Sequence, residues 1–250
     1  EVAASRLVAG DQHLLFLDSD GFLMGVGRSE SGELGMVEEA SSVPVKIIEE
    51  PVADFSTGAN ITLFLKSDGS LWGIGGLGLL KDLDGNQRNP VRLADGPLLG
   101  FAASSGSIYF IESNGSLWAA GSNTKGKLGD GTNENRNSPV QVMASGARQV
   151  TSRNEHVAVI KSDGSLWTFG KNSSGELGTG TQIDSSIPQK IEESGVVAAW
   201  TSFHSTVYLK SDGTLWGMGS NANKILQNID QSHILQSIQI ASGVSKAAVG

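Results

Sequence analysis

The sequence contains no cysteine. That excludes disulfide staples, thiolate metal ligands and a cysteine nucleophile, and it leaves the compartment open. No apolar run comes near the roughly 20 residues that a membrane-spanning helix needs, so insertion into a membrane is not expected. Basic residues are few: 18 Lys and Arg stand against 26 Asp and Glu, a net charge of −8, and nowhere do they cluster. A nucleic-acid-binding face works by neutralising phosphates and releasing counterions, so nucleic acid is not an expected partner, nor is an anionic lipid surface. Charged residues of both signs make up only 18% of the chain, too few for a coiled coil or a disordered tail. Helical patterning is lacking as well, since no stretch sustains a 3.6-residue apolar period between capping residues. The chain starts at Glu1 with neither an initiator Met nor a signal-peptide pattern. A mature secreted form and an excised domain both fit that start.

What is abundant is glycine, at 33 residues with no collagen period, which implies many tight turns. The glycines belong to a repeat. Ser-Asp-Gly-x-Leu-Trp recurs as Ser67-Asp68-Gly69-Ser70-Leu71-Trp72, Ser162-Asp163-Gly164-Ser165-Leu166-Trp167 and Ser211-Asp212-Gly213-Thr214-Leu215-Trp216. Two variants, Ser19-Asp20-Gly21-Phe22-Leu23-Met24 and Ser113-Asn114-Gly115-Ser116-Leu117-Trp118, complete the series. The central glycines 21, 69, 115, 164 and 213 are 48, 46, 49 and 49 residues apart. A regular period of this length is the signature of a repeat architecture.

Each copy reads as four short strands. An apolar run such as Val157-Ala158-Val159-Ile160 enters a tight Asp-Gly hairpin, where glycine takes positive φ without steric cost. Leu-Trp-x-x-Gly leaves it as a second strand. A loop rich in Gly, Asn and Ser follows and ends at Pro44, Pro90, Pro139 or Pro188. A third strand follows the proline, and a run of small apolar residues such as Val196-Val197-Ala198-Ala199 is expected to close the repeat as its fourth. Four-stranded units of this length are propeller blades, which bury both faces against their neighbours. The expectation is an all-β propeller occupying residues 1–250 as one domain. Leu7-Val8-Ala9-Gly10 and Ala247-Ala248-Val249-Gly250 make the fourth-strand element occur six times for five hairpins. A closed five-bladed ring with one terminal copy displaced, or a segment of a longer array, would account for that. The ring is the expected form, because an open array leaves its end blades uncovered.

Asn123-Thr124-Lys125-Gly126-Lys127-Leu128-Gly129-Asp130-Gly131-Thr132, after Leu117-Trp118-Ala119-Ala120-Gly121, resembles the repeat of the regulator of chromosome condensation family. Asn172-Ser173-Ser174-Gly175-Glu176-Leu177-Gly178-Thr179-Gly180-Thr181 repeats the pattern, and Gly10-Asp11-Gln12-His13-Leu14-Leu15-Phe16-Leu17 is similar to the family's first strand. The resemblance extends over essentially the whole chain. Met24 in place of Trp, the altered loop Gly75-Gly76-Leu77-Gly78-Leu79-Leu80 and the proline-free stretch around Asn223-Lys224-Ile225-Leu226 depart from it. The resemblance implies a propeller, commonly of seven blades, and unlike tasks. Eukaryotic members act as nucleotide exchange factors for a small GTPase and bind chromatin, whereas a secreted bacterial one inhibits β-lactamase. A bacterial extracellular or cell-surface protein is the expected setting.

Trp72, Trp118, Trp167 and Trp216 recur at one phase, which favours packing between blades over a ligand platform. Trp200 stands outside that series, with packing and ligand contact both open. His13 and His156 lie eight residues before their turn glycines, where other repeats carry Ile61, Ser107 and Ser205. His204 is one residue out of phase. Structural hydrogen bonds are expected of these imidazoles, and no metal site or cofactor is expected. Asp18-Ser19-Asp20-Gly21 and Asp82-Leu83-Asp84-Gly85-Asn86 lack the full calcium-loop pattern. Asp11, Glu112 and Glu155 form no evident pair of the kind a glycosidase needs, so the chain is expected not to be an enzyme.

The leading expectation is a non-catalytic protein-binding module. Its scaffold is regular and its variable loops ring one end of the channel, where they are expected to join the outer strand of one blade to the inner strand of the next. On that rim His13, Arg153, His156, Trp200, Phe203 and His204 break the repeat and are the expected binding residues. A carbohydrate-binding propeller, a protein inhibitor of an enzyme and a structural module of an adhesin are the alternatives.

Overall fold

The computed structural model describes residues 6–78, 80, 85–226 and 230–247. They form five antiparallel sheets of four strands each, as the five hairpin copies predict. Sheet 1 holds β1 (Leu7–Ala9), β2 (His13–Leu17), β3 (Phe22–Arg28) and β4 (Ala40–Pro51); sheet 2 holds β5 (Asp54–Thr57), β6 (Ile61–Leu65), β7 (Leu71–Gly75) and β8 (Gln87–Ala94). Sheet 3 holds β9 (Leu98–Ser104), β10 (Ser107–Glu112), β11 (Leu117–Gly121) and β12 (Arg136–Met143). Sheet 4 holds β13 (Ala147–Arg153), β14 (His156–Lys161), β15 (Leu166–Gly170) and β16 (Ser185–Glu192). Sheet 5 holds β17 (Val196–Thr201), β18 (Ser205–Lys210), β19 (Leu215–Ser220) and β20 (His233–Ala241). Within each sheet the strands pair in chain order. The described residues contain no α-helix, only two short 3-10 turns, Thr124–Gly126 and Ala222–Lys224.

The strand phase differs from the expectation in one respect. The small apolar run does not close a repeat but opens the next: Val196–Thr201 is the first strand of sheet 5 and pairs with Ser205–Lys210. The five first strands β1, β5, β9, β13 and β17 contribute to the lining of one cavity, so the sheets stand around a common channel. Small residues such as Gly58, Ala103, Ser104 and Thr151 belong there because the sheets converge towards that axis.

The hairpins follow from their sequence. The five turn glycines have φ between 78° and 83°, the left-handed region open to glycine. In sheet 4, Asp163 Oδ1 accepts from Ser165 N at 2.9 Å and from Ser165 Oγ at 2.6 Å, and Trp167 Nε1 donates to Ser165 Oγ at 2.9 Å. The same chain runs through Asp68, Ser70 and Trp72 and through Asp212, Thr214 and Trp216. Asp18 bonds Asp20 N and Phe22 N in the equivalent turn, so the first calcium-like run is an ordinary hairpin. The second falls largely on residues 81–84, and the sixth small apolar element on residues 248–250, both outside the described residues.

Adjacent sheets bury their faces against one another. Shared apolar clusters join sheets 1 and 2 (Leu15, Phe55, Phe64), 2 and 3 (Leu63, Ile108, Phe110), 3 and 4 (Tyr109, Val157, Val159) and 4 and 5 (Ala158, Ile160, Tyr208). Trp72, Trp118, Trp167 and Trp216 are half-buried and pack on these clusters, each on the side of the preceding sheet. On the far face of sheet 5, Val207, Leu226 and Ile234 cluster with residues of that sheet alone. The long loops clasp the neighbouring blade. Arg88 on β8 donates to the carbonyls of Val37 and Glu38 in the loop of sheet 1, and Gly131 and Gly180 donate at 2.8 Å to Ser186 and Leu235 on the following outer strands.

Candidate functional site at the channel rim

The rim is built from the links between first and second strands. These are tight hairpins within one sheet rather than crossings between sheets, a correction of the expected connection. Asn154-Glu155 joins Arg153 to its partner His156, and Ser105-Gly106 joins Ser104 to Ser107. Asn154 and Gly106 have positive φ, at 60° and 72°, as two-residue hairpins require. A glycine ending the third strand seats each link: Lys171 N donates to Glu155 O at 2.9 Å and Ser220 N to His204 O at 2.8 Å. A Cβ at Gly170 or Gly219 would collide with those same carbonyls. The long loops lie at this end too, as expected. In three of them an Asn side chain fixes the path, its Oδ1 accepting at 2.9 Å from Leu128, Leu177 or Leu226 N.

Four of the six expected binding residues come together at the rim. The Arg153 guanidinium lies over the Phe203 ring, 5.1 Å from its centroid, and reaches across the channel to within 3.7 Å of Asp11 Oδ1. Phe203 is 40% exposed and stands 6.4 Å from the His204 ring. Trp200 lines the channel cavity below them, together with Arg153 and Asp11.

His13 and His156 are not available to a macromolecular partner, because they are buried beneath the rim at 4% and 0% exposure. His156 Nε2 lies 3.1 Å from Thr206 Oγ1, whose hydroxyl donates to Glu176 O at 2.9 Å. The threonine proton is thus committed, and the imidazole must donate from Nε2. His13 repeats the arrangement between sheets 1 and 2, with Thr62 Oγ1 at 3.5 Å donating to Glu33 O at 2.7 Å, and Thr57 Oγ1 at 2.6 Å. Both histidines therefore stitch a blade to the next one. Burial pushes the pKa of His13 down to about 4 and that of His156 down to about 3, so both are neutral at pH 7.

Three buried charges were missed by the sequence reading. Glu33, Lys127 and Glu176 occupy the same position of the Gly-x-Leu-Gly motif and are 2%, 2% and 0% exposed. Lys127 Nζ donates to Ser105 O at 2.6 Å. Burial pushes its pKa down to about 8 while the nearby Glu155 carboxylate opposes the shift. Glu176 Oε1 lies 3.9 Å from His204 Nδ1. A basic residue at the motif thus faces an acidic rim residue of the next blade, and an acidic one faces a histidine. That correlation was the available signal, since Glu155 and His204 hold the same place in successive repeats.

With this geometry in view, residues 114–160 and 163–205 match the regulator of chromosome condensation (RCC1) repeat. The whole described fold aligns with human WBSCR16 at a TM-score of 0.84 and 16% identity, over 96% of this chain and 67% of that one. Prp20p from Saccharomyces cerevisiae aligns at 0.80 and 18%, over 93% and 64%. The fold is like that of these RCC1 propellers, and two of its repeats match the family. The chain spans about two thirds of the length of each of these two structures. The ectodomain of the receptor kinase CR4 from Physcomitrella patens is more distant, at a TM-score of 0.56 and 14% identity, over 92% of this chain and 54% of that one. No curated protein sequence matches. Prp20p is described with its binding to Gsp1p and histones, and has been solved with Kap60.

Proposed function

We propose that this propeller is a non-catalytic protein-binding module whose partner seats on the rim over the channel mouth, contacting Arg153, Phe203 and His204. The observation that carries the reading is the Arg153–Phe203 pair, a guanidinium stacked on a phenyl ring that is 40% exposed. An aromatic side chain and an arginine held in place are the residue types enriched at interface hot spots, where little side-chain entropy remains to be lost. The scaffold does not need either residue, since the repeat accommodates Asp11, Ala59 and Ser105 at the place of Phe203. Protein binding by Prp20p agrees with this mode of action. Binding rather than catalysis is supported by the rim carboxylates: Asp11 faces Arg153, and Glu155 lies 4.0 Å from Lys171, each beside a cation rather than paired with another acid.

Photocrosslinking from this rim tests the reading. A benzophenone side chain in place of Phe203 should capture a partner from an extract of the native host, and the same group in place of Asp212 on a hairpin should not. Capture of the same protein from Asp212 alone would place the partner on the other end.

A further inference from the structure

Beneath the rim, one buried carboxylate is only half satisfied. Glu176 Oε2 accepts from Ser174 N at 2.7 Å, whereas Oε1 has no hydrogen-bond partner among the described residues. A buried carboxylate oxygen without a donor is costly, so the site favours any arrangement that supplies one. His204 is placed to do so. Its Nδ1 stands 3.9 Å from Oε1, beyond a hydrogen bond, and 53% of its side chain is exposed. Ser220 N holds the His204 carbonyl at 2.8 Å, so the backbone is fixed and the ring is the part that can move. The scaffold does not require this pair. On sheet 1 Glu33 repeats the construction, its Oε2 accepting from Ser31 N at 2.8 Å and its carbonyl from Thr62 at 2.7 Å. There the corresponding link residue of the next sheet is Asn60, which does not titrate. Of the five link positions, Gln12, Asn60, Gly106, Glu155 and His204, one carries an imidazole.

Imidazole is the side chain whose charge changes between pH 8 and pH 5. The other charged groups around His204 are already committed. His156 on β14 is buried and neutral at pH 7, Lys171 after β15 lies beside Glu155, and Arg153 on β13 lies over Phe203 and towards Asp11. A protonated His204 carries a charge and a donor on both ring nitrogens, and a shift of about 1 Å brings Nδ1 into a charge-assisted bond with Oε1. Phe203 is its chain neighbour, with the rings 6.4 Å apart. We propose that His204 and Glu176 form a latch between sheets 4 and 5, which closes when His204 is protonated and fixes the Phe203 side of the rim. Resting on the reading of the rim as the partner's seat, the latch makes capture of that partner tighter in mild acid, because less side-chain freedom remains to be lost on binding.

The latch is tested by following the ring signals of His204 and Phe203 in the isotope-labelled chain from about pH 8 to about pH 5.5, with the fold checked by circular dichroism at each pH. In the parent the Phe203 signals should move together with those of His204. Glu176→Gln should at least halve the Phe203 movement while His204 still titrates, His204→Asn should abolish it, and Glu33→Gln should leave it as in the parent. Phe203 signals that stay still while His204 titrates, or that move as far in Glu176→Gln as in the parent, overturn the latch. Its effect on binding is read from the Kd of the crosslinked partner at about pH 7.5 and about pH 5.5, for the parent and for Glu176→Gln. The gain on acidification should be at least about threefold larger in the parent, a ratio in which the partner's own titration cancels. Equal gains overturn the effect on binding even where the ring signals behave as expected. A rim that captures no partner overturns that effect together with the reading it rests on, and the ring signals still decide the latch.

Discussion

At the scale of single residues, the buried histidines make the clearest demand on solution behaviour. Each is neutral in the fold, with its pKa depressed by burial, and free to protonate near its ordinary value once the chain unfolds. The unfolded state therefore binds more protons as the pH falls below about 6.5, and stability falls with it. By pH 5 the loss should be about 2 kcal/mol per histidine, a figure set by the unfolded value alone while the folded pKa lies lower. The exposed hairpin aspartates Asp68, Asp163 and Asp212, held below the ordinary carboxylate pKa by their own serine or threonine, lose their contribution only in a more acidic window. Denaturant midpoints at pH 7 and pH 5 are the measurement. His156→Gln should flatten the difference by about half, and an unchanged slope would show that His156 is not buried and neutral. The sequence showed that His13 and His156 share a phase but not that the phase points inward. A polar residue in a repeated strand does not reveal which face its sheet buries until the neighbouring blade supplies a threonine opposite it.

At the scale of strands and turns, the hairpins were fully legible, because Asp-Gly imposes its geometry locally. Gly164→Val places a β-branched side chain at φ +78° and brings its Cβ to 2.7 Å from Gly195 N, whereas a Cβ at Gly213 meets nothing closer than 3.6 Å. Both substitutions should cost more than about 1 kcal/mol from backbone strain, and Gly164→Val should cost the more. Equal losses would mean that the Gly195 contact does not constrain the turn. The tryptophans were legible as packing residues, but their depth was not. Half-buried, with the indole N–H bonded to the hydroxyl two residues earlier, Trp118 and Trp167 should each lose about 2 kcal/mol on change to Ala, less than the 3–5 expected of fully buried aromatics. Melting of both variants checks this. Where one blade ends and the next begins was misread, because a repeating sequence is unchanged by a shift of phase. The two-residue links Asn154-Glu155 and Ser105-Gly106 carried the answer, since only adjacent antiparallel strands can be joined so tightly.

At the scale of the whole molecule, the two ends of the channel differ in kind. One end carries hairpins that repeat nearly residue for residue. The other carries links whose residues change from blade to blade, and there Arg153 of sheet 4 reaches both Asp11 of sheet 1 and Phe203 of sheet 5. The sequence singled out Arg153, Trp200, Phe203 and His204 because they break the repeat. It could not show that they meet, since 47 residues separate Arg153 from Trp200 and only the convergence of the first strands on one cavity brings them together. The account rests on that rim being where a partner binds. The most direct measurement is the affinity of the crosslinked partner, once identified, for Arg153→Ala, Phe203→Ala and the hairpin variant Asp163→Asn, with thermal stability recorded alongside. The two rim variants should each weaken binding by at least about tenfold, or 1.4 kcal/mol, at nearly unchanged melting temperature, and Asp163→Asn should bind as the parent does. Full affinity in both rim variants with a loss in Asp163→Asn would contradict the account.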